Sequence, residues 1–355
     1  MRPSDEQFMD LALRMGRRNL GATAENPSVG CIIVKEGLIV GRGVTAPGGR
    51  PHAETQALAQ AGPDAAGATA YVTLEPCAHY GRTPPCCDAL IAATIGRVVI
   101  AVGDPDPRTR GKGTDKMRAA GIVVDEGVCE AEGRAELAGY LSRMERGRPW
   151  VTLKMAVSAD GMMAEQPGVQ TVITQEAALR RSQIMRSQTD AILVGAGTVR
   201  CDDPSLTCRL PGLEARSPVR IVLGGSAADL KGTKLAKTAC EVPVWWMGTG
   251  EASGALEAIA CELEDTGRVN LPSALHELGA RGIGHLIVEG GAQVAASFLQ
   301  AGLVDCAVVF TAPHKLGPDG VRAPLELLAE NGFGASAPIL LGVDQLTVYD
   351  RAHEK

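Results

Sequence analysis

Apolar and polar residues in the first part of the chain recur in a pattern that predicts strands interleaved with helices. Phe8, Leu11 and Met15 recur at helical spacing and predict a helix from Asp5 to Leu20. Apolar runs at 30–34 and 38–40, on either side of a Lys-Glu-Gly turn, predict a hairpin. Further helices are predicted over 52–60 and 84–93, and further strands over 71–74, 97–102 and 121–124. This alternation favours an α/β sheet layered with helices.

The pattern restarts after a polar linker at 145–149, Glu-Arg-Gly-Arg-Pro. Beyond it, strands are predicted at 150–157, 191–194, 219–223, 242–247, 285–289, 306–310 and 346–349, with helices between most of them. The second part repeats neither the His-x-Glu nor the Pro-Cys element of the first. We therefore predict two different α/β domains, at residues 1–146 and 147–355.

Composition narrows the class of protein. Hydrophobic residues make up 45% of the 355, enough for a core in each domain, and the formal net charge is −6. An acidic balance with 3% aromatic residues does not favour a nucleic-acid partner. With no apolar run approaching about 18 residues and no basic, then apolar, N-terminal segment, neither a membrane span nor a signal peptide is predicted. The ten cysteines are then expected to be reduced, as in the cytoplasm.

Candidate chemistry concentrates in the segments Pro51–Glu54, Glu75–Cys77 and Pro85–Cys86. His52, Cys77 and Cys86 offer one nitrogen and two sulfurs, a common zinc donor set that leaves a position for water. Glu54 is placed to move protons rather than to bind metal. His-x-Glu followed by Pro-Cys and a second Cys is the signature of zinc-dependent nucleobase deaminases. Here eight residues separate the two cysteines, more than in the usual Pro-Cys-x-x-Cys.

The residue types suit hydrolytic deamination. Zinc lowers the pKa of a bound water toward ~7, and Glu54 could pass a proton to the ring nitrogen and the leaving ammonia. The alternative is a structural zinc site with His79 as fourth ligand, but a closed site gives Glu54 no purpose. Cys87 adjoins a predicted ligand, yet neighbouring side chains on a helix point in different directions. Cys87 is therefore not predicted to bind the metal.

His52-Ala53-Glu54, together with the run from Thr73 to Cys86, resembles the bifunctional riboflavin-biosynthesis deaminase–reductase of bacteria. The resemblance implies zinc hydrolytic deamination of 2,5-diamino-6-ribosylamino-4(3H)-pyrimidinone 5′-phosphate. NADPH would then reduce the ribosyl group to a ribityl chain. The implied fold is a cytidine-deaminase-like α/β/α sandwich followed by a dihydrofolate-reductase-like α/β domain. The family also implies a homo-oligomer, whereas the charge and the lack of a long apolar run predict neither nucleic acid nor membrane as partner.

Substrate contacts in the first domain follow from the same resemblance. The run from Asn26 to Gly30, Asn-Pro-Ser-Val-Gly, matches the family's substrate loop, where the Asn26 amide can recognise polar ring atoms. Taken alone, Asn-Pro favours an ordinary turn. The loop from His79 to Cys86 is expected to hold the sugar or the phosphate, with His79 and Arg82 as contacts.

Three segments carry the signal of the second domain: Lys154–Gly161, Gly195–Thr207 and Val288–Leu299. In the last, two glycines between a strand and a helix let the backbone approach a ligand, and the N–H groups that begin the helix can hold a phosphate. Arg200 stands where a Rossmann fingerprint that starts at Gly195 would need glycine. Each segment is weak alone. Together, in this order, they resemble the reductase domain of the same family.

This second resemblance assigns residues to cofactor and substrate. Those on NADPH-contacting positions are Ala156, Val172, Thr198, Asp202, Gly291, Ala292, Gln293, Val294, Ala295, Ala296 and Ser297. Those on substrate-contacting positions are Gln170, Arg186, Leu206, Arg209 and Glu289. The two arginines suit a sugar phosphate because a guanidinium binds phosphate in a bidentate way, although each could equally be solvated. Lys154, Asp160 and Glu289 are the candidate proton donors.

The chain departs from the family pattern at several positions. Glu25 replaces a residue that is usually Pro, and the run at 43–46 lacks the family's His. Gln170 and Val172 replace the Ser and Trp of a Ser-x-Trp-Ile-Thr run, which would weaken cofactor packing. A deaminase whose degenerate second domain serves assembly is therefore the alternative. The persistence of the glycines, Asp202 and Glu289 favours an active reductase.

Overall fold

The computed structural model describes residues 4–81, 83–248 and 254–351 of the chain. The chain divides into two compact units, and the boundary between them in the sequence lies between Gly147 and Arg148. Each unit has hydrophobic core clusters of its own. The two-domain α/β prediction is confirmed.

The first unit is a sheet with helices packed against it. Its strands are β1 (Gly30–Lys35), β2 (Leu38–Val44), β3 (Thr69–Leu74), β4 (Arg97–Val102) and β5 (Val123–Glu126). Its helices are α1 (Asp5–Gly16), α2 (Ala53–Ala61), α3 (Cys86–Ala92), α4 (Lys112–Ala119), α5 (Glu130–Glu136) and α6 (Ala138–Arg146). The strand order is β2-β1-β3-β4-β5, antiparallel across the first three strands and parallel from β3 to β5.

Local chemistry explains where the helices of this unit begin and end. Ser4 caps α1 in a reciprocal box with Gln7, which satisfies free N–H groups of the first turn. The helix predicted to reach Leu20 stops at Gly16, because the chain tightens into a 3-10 turn at Arg17–Asn19. The linker predicted at 145–149 was too long. Helix α6 continues through Arg146, and Gly147 ends it with φ 68°, a left-handed conformation that favours glycine.

The second unit is built on a larger mixed sheet. Its strands are β6 (Trp150–Val157), β7 (Met162–Ala164), β8 (Ala191–Gly195), β9 (Val219–Leu223), β10 (Val244–Met247), β11 (Glu257–Ala258), β12 (His285–Val288), β13 (Cys306–Thr311), β14 (Val321–Arg322), β15 (Phe333–Ala335), β16 (Ile339–Leu341) and β17 (Asp344–Arg351). Its helices are α7 (Glu176–Arg186), α8 (Ala196–Asp202), α9 (Lys234–Lys237), α10 (Leu271–Ala280), α11 (Ala292–Gln300) and α12 (Glu326–Glu330).

The order in the large sheet of this unit is β11-β10-β9-β8-β12-β6-β13-β17-β15, with β16 also paired to β17. Strands β7 and β14 pair with each other in a separate two-stranded sheet. The strands are parallel from β11 to β13, and β17 returns antiparallel beside β13. Strands β8 and β12 are nearly continuous apolar runs because a central parallel strand is covered on both faces. The helices that follow these two neighbouring strands therefore begin at one edge of the sheet. Ligands of open α/β sheets bind at such an edge.

Candidate active sites

Three predicted metal ligands converge in the first unit. His52 occupies the N-cap position of α2 without a side-chain capping bond, Cys77 follows the end of β3, and Cys86 is the first residue of α3. Their ligand atoms all lie within 4.8 Å of one another. The Nδ1 atom of His52 is 3.3 Å from the Cys86 sulfur and 3.7 Å from the Cys77 sulfur. One imidazole and two thiols at this spacing fit zinc.

The two thiols of this cluster share a proton unequally. The Cys86 thiol is hydrogen-bonded to the Cys77 sulfur. This bond and the neighbouring His52 outweigh the effect of burial and lower the pKa of Cys77 to about 4. The bond to Cys77 and burial raise the pKa of Cys86 well above its ordinary value. The backbone N–H of Cys86 also donates to the Cys77 sulfur at 3.3 Å. One thiolate is thus stabilised before any metal binds, and a metal ion would deprotonate the other thiol.

Glu54 lies in the first turn of α2, buried beside the cluster and with 4% of its surface exposed. Burial, followed by the negative charge on Cys77, raises the pKa of Glu54 to about 7. It lies outside the group of residues able to hold a metal ion. Its carboxyl group is therefore available to carry protons.

Cys87 points away from the cluster and into the core. Its side chain is fully buried among the apolar residues of the first unit, and burial raises its pKa to about 11. The metal-binding group among the described residues does not include it. Of two adjacent cysteines, only the one at the helix start faces the site.

A cavity of about 540 Å³ opens onto His52, Glu54 and Cys77. The predicted substrate residues Asn26 and His79 both line it, and His79 Nδ1 lies 3.3 Å from the Thr109 hydroxyl. Arg82 lies outside the described residues. The lining residues that sequence reasoning missed include six polar ones, which are Arg50, Asp104, Asp106, Arg108, Tyr140 and Arg143.

Gly49 presses against Asn26 in the wall of this cavity. Gly49 has φ +87°, and a Cβ atom built on it would lie 2.1 Å from the Asn26 side-chain nitrogen. The Thr23 hydroxyl also donates to the Asn26 carbonyl at 2.6 Å. The Asn26 backbone N–H donates to the Thr23 carbonyl at 3.2 Å, which closes a turn, and Asn26 lines the cavity.

Two acidic residues that line this cavity, Glu75 and Asp104, have hydrogen-bond partners. Glu75 accepts hydrogen bonds from the backbone N–H groups of Asp104, Gly111, Gly113 and Thr114 at 3.1–3.4 Å. The Tyr140 hydroxyl donates to Asp104 at 2.8 Å. Asp104 and Asp106 come directly after β4, at the carboxyl edge of parallel strands, and that position was a usable signal. Tyr140 and Arg143 lie on α6, a helix without any sequence motif that would have predicted a place in the site.

The reductase site predicted in the second unit centres on Glu289. Glu289 follows β12, and Arg186, the last residue of α7, reaches it with two hydrogen bonds of 3.0 and 2.8 Å. Lys154 Nζ on β6 is 3.8 Å from the same carboxylate. Burial alone would raise the pKa of Glu289, but Lys154 and Arg186 outweigh it and lower the pKa to about 2.

Asp160 does not belong to this cluster. It accepts hydrogen bonds from the Ser158 hydroxyl at 2.6 Å and from the backbone N–H groups of Leu316 and Gly317. These bonds hold the pKa of Asp160 well below its usual range. Asp160 is therefore an ionised carboxylate that ties two loops together. These contacts favour a structural role for Asp160 over that of a proton donor.

Thr198 and the predicted cofactor positions from Gly291 to Ser297 gather around the start of α11. A Cβ atom on Gly290 would lie 2.5 Å from Val294, and one on Gly195 would lie 2.8 Å from it. A Cβ atom on Gly291 would lie 3.9 Å from the Thr198 hydroxyl. These contacts bring the β8–α8 turn and the β12–α11 turn together. A cavity of about 540 Å³, lined by Gln293, Val294 and Ser297 among others, opens beside them.

The remaining predicted residues differ in how they could contact a ligand. The side chains of Leu206 and Ala295 are buried in the core, so only their backbone atoms remain for contact. The backbone N–H of Arg209 donates to the Gln183 amide at 2.7 Å. Val172 is 78% exposed and, like Gln170, lies outside any helix or strand. The position of the family's Trp is therefore a surface loop here.

Comparisons with known proteins agree with the two domains. Residues 2–102 match the cytidine and deoxycytidylate deaminase zinc-binding region, and residues 149–330 match the RibD C-terminal domain. The riboflavin biosynthesis protein RibD of Escherichia coli K12 is 41% identical over 329 residues, 89% of each chain. That of Aquifex aeolicus is 43% identical over 319 residues, again 89% of each chain.

Two solved structures resemble the whole chain. RibD of Acinetobacter baumannii has a TM-score of 0.88 at 35% identity, covering 98% of this chain and 99% of that chain. A diaminohydroxyphosphoribosylaminopyrimidine deaminase/5-amino-6-(5-phosphoribosylamino)uracil reductase of Thermotoga maritima has a TM-score of 0.87 at 33% identity, with the same coverage.

Fold and site together define a two-domain α/β enzyme that joins a cytidine-deaminase-type zinc domain to a reductase domain. The chain belongs to the RibD family of riboflavin biosynthesis proteins. It is a bifunctional deaminase and reductase with zinc and NADPH as its cofactors. No helix among the described residues is long and apolar enough to cross a membrane.

Proposed function

We propose that residues 1–146 deaminate 2,5-diamino-6-ribosylamino-4(3H)-pyrimidinone 5′-phosphate and that residues 147–355 then reduce its ribosyl group to ribityl with NADPH. One observation carries the first step. A His-Cys-Cys donor set, whose atoms lie within 4.8 Å, adjoins a buried carboxyl group that is not a ligand. The Thermotoga maritima relative is described as acting on substrates of this kind.

In the deamination, His52, Cys77 and Cys86 would hold zinc, which when bound lowers the pKa of a water molecule toward neutrality. Glu54 takes up one proton of the attacking water on its carboxylate and delivers it to the ring nitrogen. It then takes up the second proton from the same oxygen and delivers it to the amino group that leaves as ammonia. Its buried position beside the cluster shortens that transfer. Asn26 orients the pyrimidinone ring from the cavity wall, where Gly49 fixes it.

In the reduction, NADPH when bound supplies the hydride. The start of α11 and the adjoining β8–α8 turn would hold the cofactor, with Thr198 and the residues from Gly291 to Ser297 as contacts. Arg186 and Arg209 would bind the sugar phosphate. Glu289 keeps Arg186 in place.

Lys154 is our proposed proton donor for the ring-opened sugar. The other two candidates are held ionised, Glu289 by Lys154 and Arg186, and Asp160 by its hydrogen bonds. Lys154 Nζ lies 5.5 Å from the centre of the Phe310 ring, which confines the ammonium group beside Glu289. A Lys154→Met variant should bind NADPH normally and fail to oxidise it with deaminated substrate, whereas unchanged turnover would refute this role.

The proposed function is tested with purified zinc-loaded protein. Ammonia release from the diaminopyrimidinone phosphate should precede NADPH oxidation, and the product should carry a ribityl chain by mass spectrometry. Ammonia release without any NADPH oxidation would favour the deaminase-only alternative. Absence of ammonia release would refute the proposal.

We also propose that the protein forms a homo-oligomer in the cytoplasm. Ile339, Leu340 and Val343 on the β16–β17 hairpin are each more than half exposed, and apolar surface of this kind favours association. Light scattering should give a mass that is a multiple of 36.9 kDa, and a monomer mass would contradict this.

A further inference from the structure

Arg50 is a half-buried cation in the wall of the cavity that holds His52 and Glu54. Its Nη1 atom donates to the Thr83 hydroxyl at 2.7 Å. A Cβ atom built on Gly81 would lie 3.3 Å from its Nη2 atom, so the guanidinium sits directly over the Gly81 backbone. These two contacts fix the guanidinium against the loop that leads to Cys86.

Arg50 differs in its partners from the other two arginines that line the cavity. Arg108 is bound through Nε and Nη2 to both carboxylate oxygens of Asp106 at 2.6–3.0 Å. Arg143 donates to the Glu25 carbonyl at 2.7 Å and lies over the Tyr140 ring.

Within the described ranges, no carboxylate lies within 4.0 Å of the Arg50 guanidinium, and Thr83 is its one hydrogen-bond acceptor. The nearby acids are already satisfied, since Glu75 accepts from backbone N–H groups and Asp104 from Tyr140. Arg50 therefore keeps free donors inside a cavity that also holds the proposed proton carrier. A guanidinium with free donors in such a place suits a dianionic phosphate.

We propose that Arg50 binds the phosphate of the deaminase substrate. The inference rests on the proposed function, and it names a residue to which the family resemblance gave no role. Thr83 anchors one arm of the guanidinium, and the remaining N–H groups hold the phosphate oxygens. Arg50 then contributes to substrate binding and to the choice of a phosphorylated substrate, and it takes no part in proton transfer.

The test compares two substrates on the full-length, zinc-loaded protein, one with the 5′-phosphate and one without it. Arg50→Ala should lower kcat/KM for the phosphorylated substrate roughly 10- to 100-fold, mainly through KM, because charge-assisted hydrogen bonds are lost. It should leave kcat/KM for the dephosphorylated substrate and the zinc content unchanged. Arg50→Lys should recover part of the loss, since an ammonium keeps the charge without the planar fork.

Arg42→Ala is the matched control, because Arg42 is an exposed arginine on the neighbouring strand β2. It should leave both substrates unaffected. Equal losses on both substrates in Arg50→Ala, or loss of zinc, would overturn the inference and assign Arg50 to support of the metal loop.

A binding measurement separates this inference from the proposed function. Ribose 5-phosphate should bind the wild-type protein in a calorimeter at the Arg50 site and at the proposed Arg186 site of the second unit. Arg50→Ala should weaken only the first of these two binding events, by a similar factor. If the wild-type protein releases no ammonia but this difference remains, the proposed function fails and the phosphate site stands. Equal affinity of the two proteins for ribose 5-phosphate overturns the phosphate site.

Discussion

Arg186 and Glu289 form a bidentate ion pair in the second unit, with Nε to Oε1 at 3.0 Å and Nη2 to Oε2 at 2.8 Å. Both side chains are nearly buried, at 12% and 11% exposure. The residues lie 103 positions apart in sequence, and the pair joins the end of α7 to the end of β12. It therefore positions the proposed phosphate-binding arginine at the edge of the sheet where the cofactor residues gather.

Replacing Glu289 with Gln should impair the reductase alone. Arg186 and Lys154 would lose their counter-charge, and breaking such a pair costs about 3 kcal/mol. We expect NADPH oxidation to fall by at least about tenfold, a lower melting temperature and unchanged ammonia release. Glu257→Gln removes the exposed partner of Arg281 and is the control, with a cost below about 1 kcal/mol. Equal stability of the two variants would contradict a buried ion pair.

Replacing Gly49 with Ala should weaken substrate binding in the deaminase. The new Cβ would meet the Asn26 side chain at 2.1 Å and displace it. Gly48 is the matched control, since it has a similar φ of +76° but nothing within 4 Å of its Cβ position. We expect Gly49→Ala to raise KM about tenfold or more, because one or two hydrogen bonds to the substrate are lost. Gly48→Ala should introduce only backbone strain and leave KM unchanged. Similar KM values for both variants would remove Asn26 from the substrate site.

Zinc removal should abolish the deamination and leave the reduction intact. After chelation, ammonia release should stop, while NADPH oxidation with deaminated substrate should continue, because the predicted ligands all lie in the first unit. Cys77→Ser should lose zinc. Cys87→Ala should keep zinc and lose only stability, since Cys87 is a core residue. Full zinc content in Cys77→Ser would contradict the ligand set.

His285 should make the second unit less stable in mild acid. Burial, opposed by Asp305, lowers the pKa of His285 to about 4, against 6.5 ordinarily. Between these values the unfolded chain binds a proton that the folded chain refuses, so the free energy of unfolding falls as pH falls through that window. At pH 5 the loss relative to pH 7 is about 2 kcal/mol.

The measurement for His285 is the urea midpoint at pH 7 and at pH 5. His285→Gln should show a smaller decrease between the two pH values than the wild-type protein. His276→Gln, which changes an exposed histidine on α10, should behave like the wild-type protein. An unchanged pH dependence in His285→Gln would show that His285 titrates normally in the folded state.

The alternation of strands and helices could be predicted from the sequence because each central strand is a short apolar run and each helix has apolar residues at helical spacing. His52, Glu54, Cys77 and Cys86 were readable because one metal fixes residue types and spacing together. Residue Arg50 was missed because its role depends on Thr83, 33 positions away. Tyr140 and Arg143 were missed for the same reason, since a helix from the end of the domain brings them to the cavity. The predicted helix and linker boundaries were wrong where the left-handed conformation of a glycine ends a helix, as at Gly147.

The most direct test of the account is the Glu54→Gln variant, assayed for both reactions beside Glu36→Gln, which alters an exposed hairpin residue. Glu54→Gln should keep its zinc, lose ammonia release by roughly 10²–10⁴-fold, and still oxidise NADPH at the wild-type rate with deaminated substrate. Glu36→Gln should retain both reactions. Ammonia release at the wild-type rate from Glu54→Gln would contradict the assignment of Glu54 as the proton carrier.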